Sequence, residues 1–416
     1  MLNIFVSNSV HAETLMDAFA EAYMHNAKLN SERAAVRISG DDVDIARSGL
    51  LPQIEGVGNY GRNKPFAGPY STSGSVGIKF SQRLFDGFVA LNVFSSAQIK
   101  LKAQREYLRN AEQNMFLEAV TAYANVYQAR RVADLRRENL AALEEQVRSN
   151  KAKLDVGEGG RVDLSQAEAA RSVAVSELSL ARADVKSAEA IYRQVIGSDP
   201  KRLRHPLEAR GLPTTLDAAH KISVVTHPAI LYARHLVDAS SYNLKAKEGA
   251  LLPKVDFFAS ASYNRVHGAL EEDGVAKSVG LSFNVPIFEG GRTSAQIRQS
   301  REQLGQAHLQ LDLARSNTEQ ALASAWFQLE GARASVIAYR DSVRAAEIAL
   351  KGRIQENRVG QATTLDVLNS RTQLINAQMA LAMAERNVVV ASYSVQSSIG
   401  RLTADHLGLK VIQYIR

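Results

Sequence analysis

The sequence predicts a mostly α-helical protein that carries one β-hairpin in each of two internal repeats. Three observations lead there. The first is a strand pattern that occurs twice, from Ser75 to Gly87 and from Ser278 to Gly290. In one copy Val76, Ile78, Phe80 and Leu84 alternate with Ser75, Gly77, Lys79, Ser81 and Arg83. In the other, Val279, Leu281, Phe283, Val285 and Ile287 alternate with Ser278, Gly280, Ser282 and Asn284. Successive strand residues point to opposite faces, so one face is apolar and the other polar. A barrel strand between lipid and water reads this way, and so does a half-buried strand of a soluble sheet. The second observation is helix length. From Phe88 to Asn150 there is neither Pro nor Gly, which at the α-helical rise gives a rod of roughly 90–95 Å. The third is constant spacing. Ser75 and Ser278 are 203 positions apart, as are Val156 and Val359, Leu178 and Leu381, and Gly197 and Gly400. Such regularity means one structural unit used twice.

Composition bounds the rest. The 416 residues suffice for two or three ordinary domains. There is no Cys, hence no disulfide framework, thiol chemistry or Cys-type metal site. Lys and Arg number 50 against 43 Asp and Glu, a formal charge of +7. The two signs are mixed along the helices without a basic run, so the surplus reads as solvated helix surface and nucleic acid is not an expected partner. No stretch approaches the roughly 18 apolar residues of a membrane-spanning helix. Residues 1–12 end in Val10-His11-Ala12, a small-residue cleavage pattern after apolar residues. They read as the remnant of a secretory signal that starts upstream, or as an unstructured terminus.

Taken in order, repeat 1 covers 13–197. A helix begins near Glu13, and a second runs from about Asn30 to Arg47 until Pro52 ends it. A hairpin follows over 53–84, with a loop rich in turn formers from Asn63 to Gly74. The rod over 88–150 carries Met115, Ala119, Ala122, Val126, Ala129 and Ala133 at alternating spacings of four and three, a coiled-coil seam of small residues. The turn Val156-Gly-Glu-Gly-Gly160 leads to a return helix over 163–196, with a seam of Leu178, Ala181, Val185, Ala188 and Tyr192. Residues 198–213, interrupted by Pro200, Pro206 and Pro213, form a linker or equatorial segment. Repeat 2 covers 214–400: helices broken at His227-Pro228, a hairpin over 255–287, a rod over 293–357 that buries Trp326, and a return helix over 366–399 with Leu381, Ala384, Val388, Ala391 and Val395. Residues 401–416 are an equatorial tail.

Each return helix is about half as long as its rod. The short helices before the hairpins, stacked end to end with the return helix, supply the missing length and make a double-layered wall. One hairpin per repeat gives four strands, too few to close a barrel, and open edges are not tolerated in lipid. Two chains would give eight strands and three would give twelve, closed by cyclic symmetry.

Here the chain resembles the TolC-type outer-membrane efflux proteins. The resemblance extends from Glu13 to Leu402. It is carried by Leu51-Pro52 before the first hairpin, by Val279-Gly-Leu-Ser-Phe-Asn-Val-Pro-Ile-Phe-Glu-Gly-Gly291, and by Arg358-Val-Gly-Gln-Ala-Thr-Thr-Leu-Asp-Val-Leu-Asn-Ser370. It implies a homotrimer with a twelve-stranded outer-membrane β-barrel continued by a long α-helical periplasmic tunnel. It also implies docking on a periplasmic adaptor (membrane fusion) protein and an inner-membrane pump, with drugs, toxic compounds or secreted proteins passing outward. The helix turns become periplasmic tips, with Arg358, Val359 and Gly360, and Val156 and Gly157 in the first copy, as adaptor contacts. The glycines equally fit plain helix termination. The resemblance places the narrowest point at Asp366, where three copies would raise the carboxyl pKa and attract cations. Asp366 also suits the start of a helix capped by Thr363. Asn369 stands where the best-known member has a second acid, so the gate here is expected to be less charged. Asn357 and Ala362 replace the tyrosine and arginine that brace the closed state in that member.

Nothing in the sequence suggests catalysis, a cofactor or a metal site: the nine His are scattered and no phosphate loop is present. The alternative to a duct is a soluble periplasmic scaffold or adaptor whose hairpins pack a small β-domain.

Overall fold

The computed structural model describes residues 12–64, 66, 69–267 and 272–409. Residues 1–11 of the signal-remnant reading and 410–416 of the tail lie outside them. The elements are α1 (Leu15–His25), α2 (Ala27–Ser48), β1 (Gln53–Asn63), β2 (Ser71–Phe85), α3 (Val89–Asp155), α4 (Arg161–Ile196), α5 (Leu216–Thr226), α6 (Pro228–Gly249), β3 (Lys254–His267), β4 (Glu272–Asn284), α7 (Arg292–Arg358) and α8 (Thr364–Ser398). The duplication is visible in their lengths. Helices α1 and α5 both have 11 residues, α2 and α6 have 22, and α3 and α7 have 67.

Local chemistry sets the boundaries. Thr14 and Thr215 cap α1 and α5, each hydroxyl accepting a backbone N–H three residues on. Asp86 accepts the Ala90 N–H at 2.8 Å and so opens α3. At the same place in the second copy Glu289 accepts from the Thr293 hydroxyl and from Arg292. Gly87 has φ +73, and a Cβ there would strike the Gly249 carbonyl, so only glycine turns the chain from β2 into α3.

The chain forms two compact units: residues 1–32, 109–228 and 316–416, and residues 33–108 with 229–315. In the first, Met115, Phe116, Ala119, Ala122, Tyr123 and Val126 of α3 are buried, and Phe19 of α1 meets Phe116 edge-on at 5.0 Å. A second cluster joins Leu322, Ala325, Leu329 and Val336 of α7 to Ala384, Val388, Ala391 and Val395 of α8. Small residues at the seams let the backbones approach closely. Helix ends meet as the length argument requires. The Asn26 amide at the α1–α2 break donates to the Val195 carbonyl near the end of α4, at 3.0 Å. At the α5–α6 break Ser223 and Thr226 donate to the Ser398 and Ile399 carbonyls ending α8, each at 2.8 Å. Tyr123 sits with its hydroxyl 2.8 Å from the carbonyls of both Glu13 and Arg204. Glu13 is buried and accepts from the Tyr192 hydroxyl and, at 3.0 Å, from the Lys201 N–H. Residues 198–213 are thereby bound to the start of α1.

The second unit holds an antiparallel sheet in the order β1-β2-β3-β4. Two expectations need correction. The second alternating strand stops at Asn284 rather than continuing through Val285 and Ile287. Its pairing with β3 ends at Lys254, and Pro286 has no N–H to extend a ladder. Trp326 is only half-buried: its indole N–H turns outward to Glu330 at 2.9 Å.

Candidate functional site

The register gives each face of the sheet a distinct chemistry. Ile54 lies opposite Phe80, Gly58 opposite Val76, Val76 opposite Tyr263, and Ala259 opposite Val279. These positions share one face with Ile78, Leu281 and Phe283. It is uncovered: Ile54 is 71 % exposed, Val279 72 % and Phe283 69 %. The other face carries Lys79 opposite Glu55, an Arg83–Asp256 ion pair at 3.3 Å, and Ser260 and Ser278 joined at 2.8 Å. An apolar surface of this extent is unstable in water and suits lipid. No described helix is long and apolar enough to cross a membrane, and the sheet is where the chain displays apolar surface in strand form.

The two helix turns lie in the other unit and end α3 and α7 alike. Gly157 has φ +78 and Gly360 has φ +76. In each, the glycine N–H bonds back three residues and the next N–H bonds back five. These are Gly157 to Leu154 and Glu158 to Lys153, then Gly360 to Asn357 and Gln361 to Glu356. This is the Schellman closure of a helix, in which glycine accepts the left-handed conformation without a Cβ penalty. The closure leaves Val156 and Val359 at the apices, each 71 % exposed, with Arg358 exposed beside Val359.

Past the turns the two copies diverge. Thr363 and Asp366 form a complete capping box at the start of α8. The Asp366 carboxylate accepts the Thr363 hydroxyl at 2.7 Å and its N–H at 2.9 Å. Those bonds hold the Asp366 carboxyl below the usual aspartate value, the hydroxyl contributing most. Asn369 is exposed one turn later, on the same side of the helix. The Asn357 amide donates to the Ala362 carbonyl at 2.9 Å and draws the two ends of the turn together. The first turn has Gly160 at the cap and no side-chain cap bond. Asn150 instead reaches from α3 to the Asp163 carbonyl at 3.0 Å. Sequence reading passed over Asp163, although the 203-residue step from Asp366 lands on it. The carboxylate at this address is therefore duplicated.

A chain with a four-stranded sheet, apolar and bare on one face and polar on the other, together with two 67-residue helices, has the features of a membrane conduit protein. Comparison with known proteins gives the family. The model of the family described as "Outer membrane efflux protein" matches residues 19–198 and again 223–401, so each repeat matches separately. The outer membrane efflux protein BepC of Brucella suis is 52 % identical over 99 % of this chain and 90 % of its own length. The outer membrane protein TolC of Escherichia coli is 25 % identical over 96 % of this chain and 85 % of its own. The alkaline protease secretion protein AprF of Pseudomonas aeruginosa is 23 % identical over 89 % and 81 %. In fold, the CusC crystal structure superposes with a TM-score of 0.83 at 18 % identity, over 93 % of this chain and 92 % of that one. The open-state MtrE channel of Neisseria gonorrhoeae superposes with 0.79 at 21 %, over 94 % and 90 %. The chain belongs to the outer membrane efflux protein family. It is an outer-membrane protein that serves as an exit duct for efflux or secretion, and the scaffold alternative falls away. Its relatives are efflux, secretion and channel proteins rather than enzymes.

Proposed function

We propose that three copies close a twelve-stranded barrel in the outer membrane and that their helices continue it as a periplasmic tunnel. One observation carries this reading: among the described residues, the sheet has a bare apolar face and two unpaired edges, β1 and β4. Lipid covers the face and further copies cover the edges. Every backbone polar group in the membrane is then satisfied, as a spanning structure requires. Eight strands are the lower limit for single-chain membrane barrels, which four strands fail to reach.

The tunnel receives its cargo from an inner-membrane pump through a periplasmic adaptor. Val156, Gly157, Arg358, Val359 and Gly360 are the contact tips, because two exposed valines and a free-standing Arg358 guanidinium suit an apolar partner surface with an acidic rim. Asp366 and Asn369 line the gate. In one chain, Thr363 favours the charged Asp366. Around a three-fold axis the neighbouring carboxylates oppose it, and the ring attracts divalent cations.

Conductance in planar bilayers tests this. The wild-type protein conducts and is blocked by divalent cations from the side carrying the tips. Asp366→Asn weakens that block at least several-fold and leaves barrel insertion unchanged. Block identical to wild type removes Asp366 from the gate. Protein that stays dissolved without detergent after cell breakage ends the duct reading altogether.

A further inference from the structure

The barrel closure just proposed leaves open which residues meet across the seam between copies; the internal duplication answers it. Two offsets relate the repeats. Leu50-Leu51-Pro52 returns as Leu251-Leu252-Pro253, 201 positions on, and Ser75 returns as Ser278, 203 positions on. Strand β1 therefore corresponds to β3 by 201, and β2 to β4 by 203. The structure supports both numbers. Ile54↔Phe80, Gly58↔Val76 and Asn63↔Ser71 in the first hairpin become Val255↔Phe283, Ala259↔Val279 and Asn264↔Gly274 in the second.

At the junction β2·β3 the second strand of one hairpin meets the first strand of the next. Applying the two offsets to its register gives the junction of β4 with β1 of another copy. Val76↔Tyr263, Ile78↔Ala261, Lys79↔Ser260 and Phe80↔Ala259 are observed. We infer that β4 of one copy pairs antiparallel with β1 of the next in the register Val279↔Arg62, Leu281↔Tyr60, Ser282↔Asn59 and Phe283↔Gly58. Strand β4 stops at Asn284, and Pro286, the counterpart of Arg83, has no N–H to give, so the ladder ends with Asn284 opposite Val57.

The chemistry of both faces agrees. Leu281 and Tyr60 lie on the apolar face, 65 % and 84 % exposed within one copy, and each would cover the other. Phe283 falls over Gly58, an aromatic ring on a bare backbone. The same pairing is already present inside the chain, where Phe258 lies so close to Gly280 that a Cβ there would meet its ring at 2.7 Å. Ser282 and Asn59 meet on the polar face. A slip of one residue would put the apolar side of one strand against the polar side of the other. Slips of two keep the faces matched, and only the duplication decides against them.

The inference rests on the trimeric barrel, and its test separates the two. The chain has no cysteine, so pairs can be introduced without background. Directly opposed strand residues have Cα atoms about 4.5–5.5 Å apart, within disulfide reach, and a two-residue slip carries them past about 7 Å. The double variants Ser282→Cys with Asn59→Cys, and Leu281→Cys with Tyr60→Cys, sit on opposite faces, so a folding defect in one leaves the other. On oxidation at least one is expected to give reducible covalent dimers and trimers on a denaturing gel. Ser282→Cys with Val57→Cys, and Ser282→Cys with Gly61→Cys, are expected to stay monomeric. Cross-linking of a slipped pair and of neither predicted pair overturns the register and leaves the trimer standing. If the unsubstituted protein has a monomer mass in detergent and no pair cross-links, both readings fall together.

Discussion

Phe19 and Phe116 occupy the same addresses in the first repeat that His220 and Glu319 occupy in the second. The first pair is two fully buried rings 5.0 Å apart, with Tyr393 of α8 also edge-on to Phe19 at 5.9 Å. The second is a His–Glu contact at 3.9 Å whose side chains are 43 % and 69 % exposed. Both join the short capped helix of a repeat to its long rod. The duplication fixed which positions meet, and the neighbours fixed the chemistry: α8 packs over one contact and leaves the other to solvent. Tyr123 and Trp326 repeat the lesson. They are 203 apart, yet one is buried against the carbonyls of Glu13 and Arg204 while the other turns its N–H out to Glu330.

The contrast can be broken most sharply at its origin. Phe116→Ala should cost about 3–5 kcal/mol, the range for deleting a buried ring, whereas Glu319→Ala should stay within about 0.5 kcal/mol. Denaturant unfolding of the two variants in detergent measures the difference, and equal losses would mean burial does not separate the repeats. A second comparison uses the helix breaks. Asn26 and His227 are equivalent, and burial pushes His227 down to about 4. A histidine held neutral contributes stability that is whole above its ordinary value near 6.5 and fades as pH falls toward 4. The effect is at most about 3 kcal/mol before solvent screening. His227→Asn, which copies the first repeat, should flatten unfolding midpoint against pH in that window. Tyr123→Phe strips a hydroxyl from two carbonyls and should cost about 1–3 kcal/mol; Trp326→Phe, losing one surface bond, should cost less than about 1 kcal/mol. The smallest effect is expected at the turns. Thr363→Gly makes the second tip resemble the first, where Gly160 stands, at a few tenths of a kcal/mol. It should also return the Asp366 titration toward the usual aspartate value, readable by NMR of the labelled carboxyl. The charged cap helps only above its lowered pKa and is lost as pH falls through it, so the variant should differ from wild type least in acid.

Much of the fold was legible because it repeats. Alternation in Val76–Phe80 and Val279–Phe283 located the strands, and the missing Pro and Gly after Phe88 located the rod. The turn glycines were readable because only glycine tolerates their φ cheaply. The Thr363–Asp366 cap showed itself in spacing. Asp163 was equally accessible through the 203-residue step, but Gly160 stands where a capping threonine would have marked it. Asn150 and Asn357 gave no signal, since an asparagine that bridges a helix turn looks in sequence like any polar surface residue. The end of β4 was misplaced because alternation persists through Val285 and Ile287 while pairing partners do not.

The chain by itself determined the duplication, the helix and strand boundaries to within a few residues, and which sheet face is apolar, because these depend on neighbours in sequence and on period. Only the tertiary structure decided that β2 and β3 pair in one register, that Phe19 is sealed and His220 is not, and that the ends of α4 and α8 are held at the helix breaks. Those outcomes depend on surfaces brought together from positions about a hundred or more residues apart, for which local pattern carries no distance information.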